Sequence, residues 1–211
     1  MNKIVKRILN ELKRDVFVDS DVTTLLNDSN DTKYSLMKRA ISSGDVIRLK
    51  RGVYCLSKEY QRYGINLWHI SQVLYGPSCV SLESALSYHG WIPEGVFSTT
   101  CASMKRSVSY ENVLGTFVYH CVPLNNFYRQ VKRIESLKES FFMASPLKAL
   151  CDYVYVYKKD WNSIAPLVQS LRIDEDVLGQ ISLKGCNELL ENYKSKRVKR
   201  FIRGLKKELC L

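Results

Sequence analysis

Residues 46–56, VIRLKRGVYCL, hold two short runs of alternating polarity joined by Lys50-Arg51-Gly52, directly after a helix-period segment that ends at Gly44. Val46, Ile47 and Leu49, then Val53, Cys55 and Leu56, supply the apolar positions of two strands, and Gly52 permits the positive φ a tight hairpin needs. Arg48, Lys50 and Arg51 stand at or near the free end, where no neighbouring strand can use their charge. Upstream, NKIVKRILNELKRD carries Ile4, Val5, Ile8, Leu9 and Leu12 on one helical stripe. DSDVTTLLND offers Asp19 or Ser20 as the cap of a short second helix, and the polar NDSND breaks the chain. TKYSLMKRAISSG then reads as a third helix, capped by Thr32 or Asp31, with Leu36, Met37, Ala40 and Ile41 inward and Gly44 as its stop.

Helices followed at once by a basic-tipped hairpin are the layout of a winged helix-turn-helix. The outer side of the third helix presents Thr32, Lys33, Ser35, Lys38, Arg39 and Ser42, small polar and basic groups able to reach base edges and phosphates in a major groove. A β-ribbon directly after such a helix lies beside the DNA backbone, so Arg48, Lys50 and Arg51 would neutralise phosphates next to the groove. These nine residues are the expected DNA contacts.

The charge distribution agrees. Of the formal net charge of +11, residues 1–58 hold 12 Lys/Arg against 7 Asp/Glu, residues 59–183 hold 11 against 11, and residues 184–211 hold 9 against 3. A basic head and a basic tail therefore flank a neutral middle, which suggests a polyanionic partner. The longest apolar runs, such as FFMA at 141–144, fall far short of the roughly 18 residues of a membrane span, and no apolar signal-peptide core stands at the N-terminus. A cytoplasmic protein without a membrane partner is expected. Seven scattered cysteines, an odd number without any C-x-x-C, read as reduced and mostly buried.

After a linker helix around INLWHISQVLYG, the middle of the chain gives a helix from about Ser81 to His89, strands at GVFSTTCA and GTFVYHCVPL, and a helix whose start is fixed by Ser145-Pro146. On that last helix Lys148 and Asp152 are spaced as an i,i+4 pair worth a few tenths of a kcal/mol (~0.2–0.5). Its tyrosine-rich DYVYVY could serve as a base-stacking platform but is read as core and half-buried surface. NELLENYKSKRVKRFIRGLKKEL reads as one long helix, with Leu190, Tyr193, Val198, Phe201, Ile202, Leu205 and Leu209 inward. Its other face carries Lys196, Lys199, Arg200, Arg203, Lys206 and Lys207, which could dock an acidic patch on a partner, contact phosphates, or only face solvent.

No residue set supports catalysis or metal binding. His120 and Cys121 are neighbours in a strand and point to opposite faces, so they do not share a metal easily. No G-x-S-x-G elbow, Walker loop or H-E-x-x-H is present. Glu83 reads as a surface or capping residue. No enzymatic activity, cofactor or metal is expected.

RLKRGVY, then VSLESALSYHG, then ASPLKALCDYVY, then LRIDEDVLGQISLKGCNELLENYKSKRVKRFI resemble, in order and spacing, the AbiEi antitoxins of abortive-infection (type IV) toxin-antitoxin systems, over nearly the whole chain. One departure is Leu147, which stands after the serine-proline pair where the family often has an acidic residue. The resemblance implies a phage-defence protein whose N-terminal winged helix binds inverted repeats and represses its own operon. It also implies a C-terminal antitoxin domain that counteracts a nucleotidyltransferase-type toxin, with or without a stable complex. The expected fold is therefore α+β: a winged helix-turn-helix over residues 1–60, then a mixed α/β domain over 61–211 ending in a long basic helix. The competing expectations are an interaction module that does not bind DNA, and a factor that grips structured RNA with head and tail.

Overall fold

The computed structural model describes residues 2–26, 30–136 and 139–211. The protein is mixed α+β and divides into two compact units, Met1–Leu74 with Asn112–Leu114, and Tyr75–Glu111 with Gly115–Leu211.

In the first unit, helix α1 (Lys3–Arg7) begins where the Asn2 side chain accepts the N–H of Ile4 at 3.1 Å. The chain continues as a π-helical turn, Ile8–Leu12, closed by the N–H of Lys13 on the carbonyl of Ile8, and Lys13 leaves it with φ 52°. The expected first helix is thus present but wound more loosely in its second half. Strand β1 (Val16–Val18), helix α2 (Asp19–Leu26) and helix α3 (Asn30–Ser42) follow. Of the polar segment expected to separate the two helices, residues 27–29 lie outside the described residues. The expected hairpin is formed by β2 (Val46–Lys50) and β3 (Val53–Leu56), and Gly52 turns it at φ 78°.

These strands make an antiparallel sheet in the order β1-β3-β2. The sequence analysis does not anticipate β1, because three residues are too few to display an alternation. Its presence makes β3 the central strand, which is why β3 is buried along its whole length. The core joins Ile4, Val5 and Ile8 to Val22 and Leu26, to Leu36, Met37 and Ala40, and to Val46 and Leu56. Phe17 stacks on Tyr54 with 5.7 Å between ring centres. Helix α4 (Leu67–Leu74), capped by the Asn66 side chain, belongs to this unit, so the compact body runs past the division expected near residue 60.

The second unit contains β4 (Ser78–Val80), helix α5 (Leu82–Tyr88), β5 (Ser98–Ser103), β6 (Val108–Asn112), β7 (Gly115–Cys121), β8 (Val131–Ser136) and β9 (Glu139–Ala144). Its six-stranded sheet has the order β6-β7-β5-β4-β9-β8, with β5 parallel to β7 and β4 parallel to β9. Helices α6 (Pro146–Val156), α7 (Ala165–Leu171), α8 (Glu175–Leu178), α9 (Leu183–Asn192) and α10 (Lys196–Glu208) complete it. Ser145 caps α6 as expected, its hydroxyl accepting the N–H of Lys148 at 3.2 Å. Leu147 is buried, so an apolar contact occupies the first-turn position where a carboxylate would otherwise interact with the helix dipole.

Two expectations need correction. The C-terminal segment is not one long helix: it breaks at Tyr193, which is extended (φ −89°, ψ 132°) and bridges Leu124. Asn192 exchanges hydrogen bonds with Asn126, which anchors the break, and Ser195 restarts the chain as the N-cap of α10. The Lys148–Asp152 pair exists as expected, but it is buried, so the few tenths of a kcal/mol expected for it do not describe it. Nζ and Oδ2 lie 2.6 Å apart and both side chains are 0% exposed. The same carboxylate accepts from the Ser81 hydroxyl at 2.6 Å and from the Tyr193 hydroxyl, and the ammonium lies 5.6 Å from the centre of the Phe127 ring. Burial alone would lower the pKa of Lys148, yet the adjacent carboxylate outweighs it and the net shift is upward.

Replacing Lys148 with Met leaves Asp152 charged and buried, so Lys148→Met should cost about 3–5 kcal/mol in denaturant unfolding, and adding Asp152→Leu should restore part of it. Because Lys148 titrates above its ordinary value of 10.5, the pair's stabilisation is complete at neutral pH and fades only as pH rises beyond that value. In α10, a Cβ on Gly204 would sit 1.9 Å from the carbonyl oxygen of Asn162. Gly204→Ala should therefore lower stability by about 2–3 kcal/mol, read as a lower denaturation midpoint at unchanged m.

Candidate nucleic-acid interface

The surface of α3 follows from its burial pattern: Leu36, Met37 and Ala40 face the core with Ile41 packed against it, and the opposite side is turned to solvent. Thr32, Ser35, Lys38, Arg39 and Ser42 are exposed there, as the helical spacing requires. Arg39 lies back along its own helix, its Nε donating to the carbonyl of Ser35 at 3.3 Å. Lys33 is half-buried and ties α3 to α2, with Nζ 2.6 Å from the Thr23 hydroxyl and 3.1 Å from the carbonyl of Asp19. Tyr34, 71% exposed, belongs to the same solvent-facing surface. Its spacing from Lys38 could have identified it, but the aromatic residue reads first as a core candidate.

At the hairpin, Arg48 and Arg51 are exposed, and neither holds an ion pair among the described residues. Lys50 is half-buried, and its ammonium donates to the carbonyl of Leu74 at the end of α4. Its charge is thus used within the unit, and the cations left for a partner are those of Arg48 and Arg51. The turn is braced from behind by Asp19, whose N–H donates to the carbonyl of Gly52 at 3.0 Å. Burial, with Asp19 adding to it, raises the pKa of the Tyr54 phenol.

Other acids of the first unit are also engaged with its own chain. Asp15, buried, accepts the N–H groups of Arg62 and Tyr63, and Asp21 accepts that of Val18 at 2.8 Å. Asp45 holds the N–H of Asn2 at 3.4 Å. The acids act as local braces, while Lys38, Arg48 and Arg51 remain exposed.

On α10, Lys196, Arg203 and Lys207 are exposed, and Lys199 is half-buried. Arg200 pairs with Asp160 at 2.6 Å together with Arg197 at 3.3 Å, and Lys206 donates to the Asn187 side chain at 2.8 Å. Arg197 was not among the expected basic residues, although it lies on the same helix. The six residues of the expected basic face therefore do not form one uniform free surface.

Burial pushes the thiol of Cys79 up to about 12, and in the first unit it pushes that of Cys55 up to about 11, which keeps both protonated at neutral pH. His89 Nε2 donates at 2.9 Å to the carbonyl of Ala144, and burial lowers its pKa. Burial also lowers that of His120, against the opposing pull of Glu83. All seven cysteines are free thiols. Among the described residues, no three His, Cys, Asp or Glu side chains gather as metal ligands, and no helix is long and apolar enough to cross a membrane.

No protein-family model matches the chain, and no curated protein is significantly similar to it.

Gly52 holds a left-handed φ, and a Cβ there would meet the Asp19 carboxylate at 3.1 Å. Gly52→Ala should destabilise the first unit by about 1–2 kcal/mol, measured as a lowered thermal midpoint.

Proposed function

We propose that the first unit is a winged helix-turn-helix that binds duplex DNA, and that the chain is an antitoxin and autorepressor of the AbiEi kind. The observation that carries the DNA-binding reading is the set of exposed cations on two adjoining elements, Lys38 and Arg39 on α3 and Arg48 and Arg51 on the hairpin that follows it. Two features of the fold support it: the element order α1-β1-α2-α3-β2-β3, and the placement of β1 beside the hairpin in a three-stranded sheet. In this reading α3 enters the major groove, Thr32, Ser35, Lys38, Arg39 and Ser42 reach bases or phosphates, and the hairpin lies along the backbone. Lys33 and Lys50 act inside the unit, where they hold the helix and the hairpin in place. The antitoxin half of the proposal rests on the ordered resemblance of four sequence segments, and it assigns opposition to a nucleotidyltransferase-type toxin to the second unit. A cytoplasmic location and the absence of catalysis belong to the same proposal.

The test uses the duplex upstream of the protein's own gene. Lys38→Ala with Arg39→Ala should abolish specific footprinting on that duplex without loss of fold by circular dichroism, since charge-assisted contacts to bases are each worth about 1–3 kcal/mol. Arg51→Ala should weaken binding to any duplex by a similar factor and flatten the salt slope by about one unit, with base preference unchanged. A double variant that footprints as tightly as wild type would remove α3 from the groove.

The antitoxin half is tested in cells that express the product of the gene beside this one, which on this proposal is a nucleotidyltransferase. The full chain carrying Lys38→Ala and Arg39→Ala should still protect them, because the substituted residues lie outside the second unit. Loss of protection by this folded variant would show that the two activities are not divided between the units.

A further inference from the structure

The C-terminal end of α6 and the segment after it carry a group of rings that duplex binding through α3 does not use. Tyr153 and Tyr157, one helical turn apart, meet with 4.6 Å between ring centres. Trp161 lies nearly parallel to Tyr153, at 5.6 Å and 22°, and His120 of β7 meets Tyr157 at 6.0 Å. Rings that served only the core would be closed over. Here Tyr157 is 39% exposed, and Tyr153, Trp161 and His120 are half-buried.

Cations border these rings. Lys158 is exposed directly after Tyr157, and Nζ of Lys159 sits 5.8 Å from the centre of the Trp161 ring. Arg197 and Arg200 of α10 reach the same segment through Asp160, so that carboxylate is outweighed by two guanidinium groups. Glu83 also lies near the cluster, and burial, with Glu83 adding to it, raises the pKa of the Tyr157 phenol.

Half-exposed aromatic faces flanked by cations match what an unpaired nucleic-acid strand presents, bases with free π faces on a backbone of phosphates. A duplex keeps its base faces stacked away, and an acidic protein surface would use the cations but leave the rings idle. Unpaired RNA and unpaired DNA share these two features. We infer that this surface of the second unit binds single-stranded nucleic acid.

The full chain is titrated by fluorescence anisotropy against a short labelled oligouridine and against the oligodeoxyuridine of the same length. Wild type should bind both, with affinity that falls as salt rises. Lys158→Glu with Lys159→Glu should weaken RNA binding by about tenfold or more. Tyr157→Ala, checked for fold by circular dichroism, should also weaken binding to both strands about tenfold. Tyr157→Phe keeps the ring and should bind both strands as tightly as wild type. Lys38→Ala with Arg39→Ala should leave oligouridine binding unchanged, so failure here and failure of the duplex-binding proposal read out separately. Absence of oligouridine binding, or binding indifferent to the lysine reversals, would overturn the site.

Discussion

The second unit is organised around a pair of opposite charges that water does not reach. Moving an ammonium and a carboxylate out of water costs several kcal/mol each, about what their attraction returns only when geometry is good and the remaining lone pairs are satisfied. Both conditions hold at Lys148 and Asp152. The two groups touch at 2.6 Å, the carboxylate has further donors in Ser81 and Tyr193, and the ammonium faces the Phe127 ring. The carboxylate thereby joins the residue before α5, the middle of α6 and the break between α9 and α10. An apolar core could bring these elements together in several registers, whereas a charge that must find three particular donors accepts one arrangement.

The first unit uses its charges in the opposite way. Asp15, Asp21 and Asp45 are engaged by backbone N–H groups, and Lys33 and Lys50 by carbonyl or hydroxyl oxygens of neighbouring helices. The exposed face of α3 and the hairpin turn are then basic for a reason that a residue count does not convey. The head contains seven acids against twelve bases, yet several of those acids serve as braces and are poorly placed to offset Lys38 or Arg51. Field at a surface depends on which charges are left over after the fold has taken its share.

The parts of the fold that depend on local pattern were legible in the sequence. Gly52 marked the hairpin, Ser145-Pro146 marked the start of α6, and the stripe of Leu36, Met37 and Ala40 marked the buried side of α3. What was not legible depends on partners distant in the chain. β1 is a strand only because β3 is beside it, and the break at Tyr193 exists because Leu124, Asn126 and Asp152 take up that stretch of chain. The spacing of Lys148 and Asp152 was visible, but i,i+4 spacing is the same on a wet or a dry face, so burial could not be read from it. Among the candidate contacts, Lys33 and Lys50 turned inward for the same reason: a long flexible side chain goes where an acceptor is, and the acceptors lie on other elements.

Tyr193 also sets the order in which the chain can be completed during synthesis. The donors to Asp152 come from residues 81, 148 and 193, so the carboxylate stays short of one partner until nearly the whole second unit has left the ribosome. The three-stranded sheet of the first unit needs nothing beyond Leu56. A nascent chain therefore passes through an interval in which its N-terminal sheet can be formed while the second unit still holds an unsatisfied charge, open to chaperones and proteases.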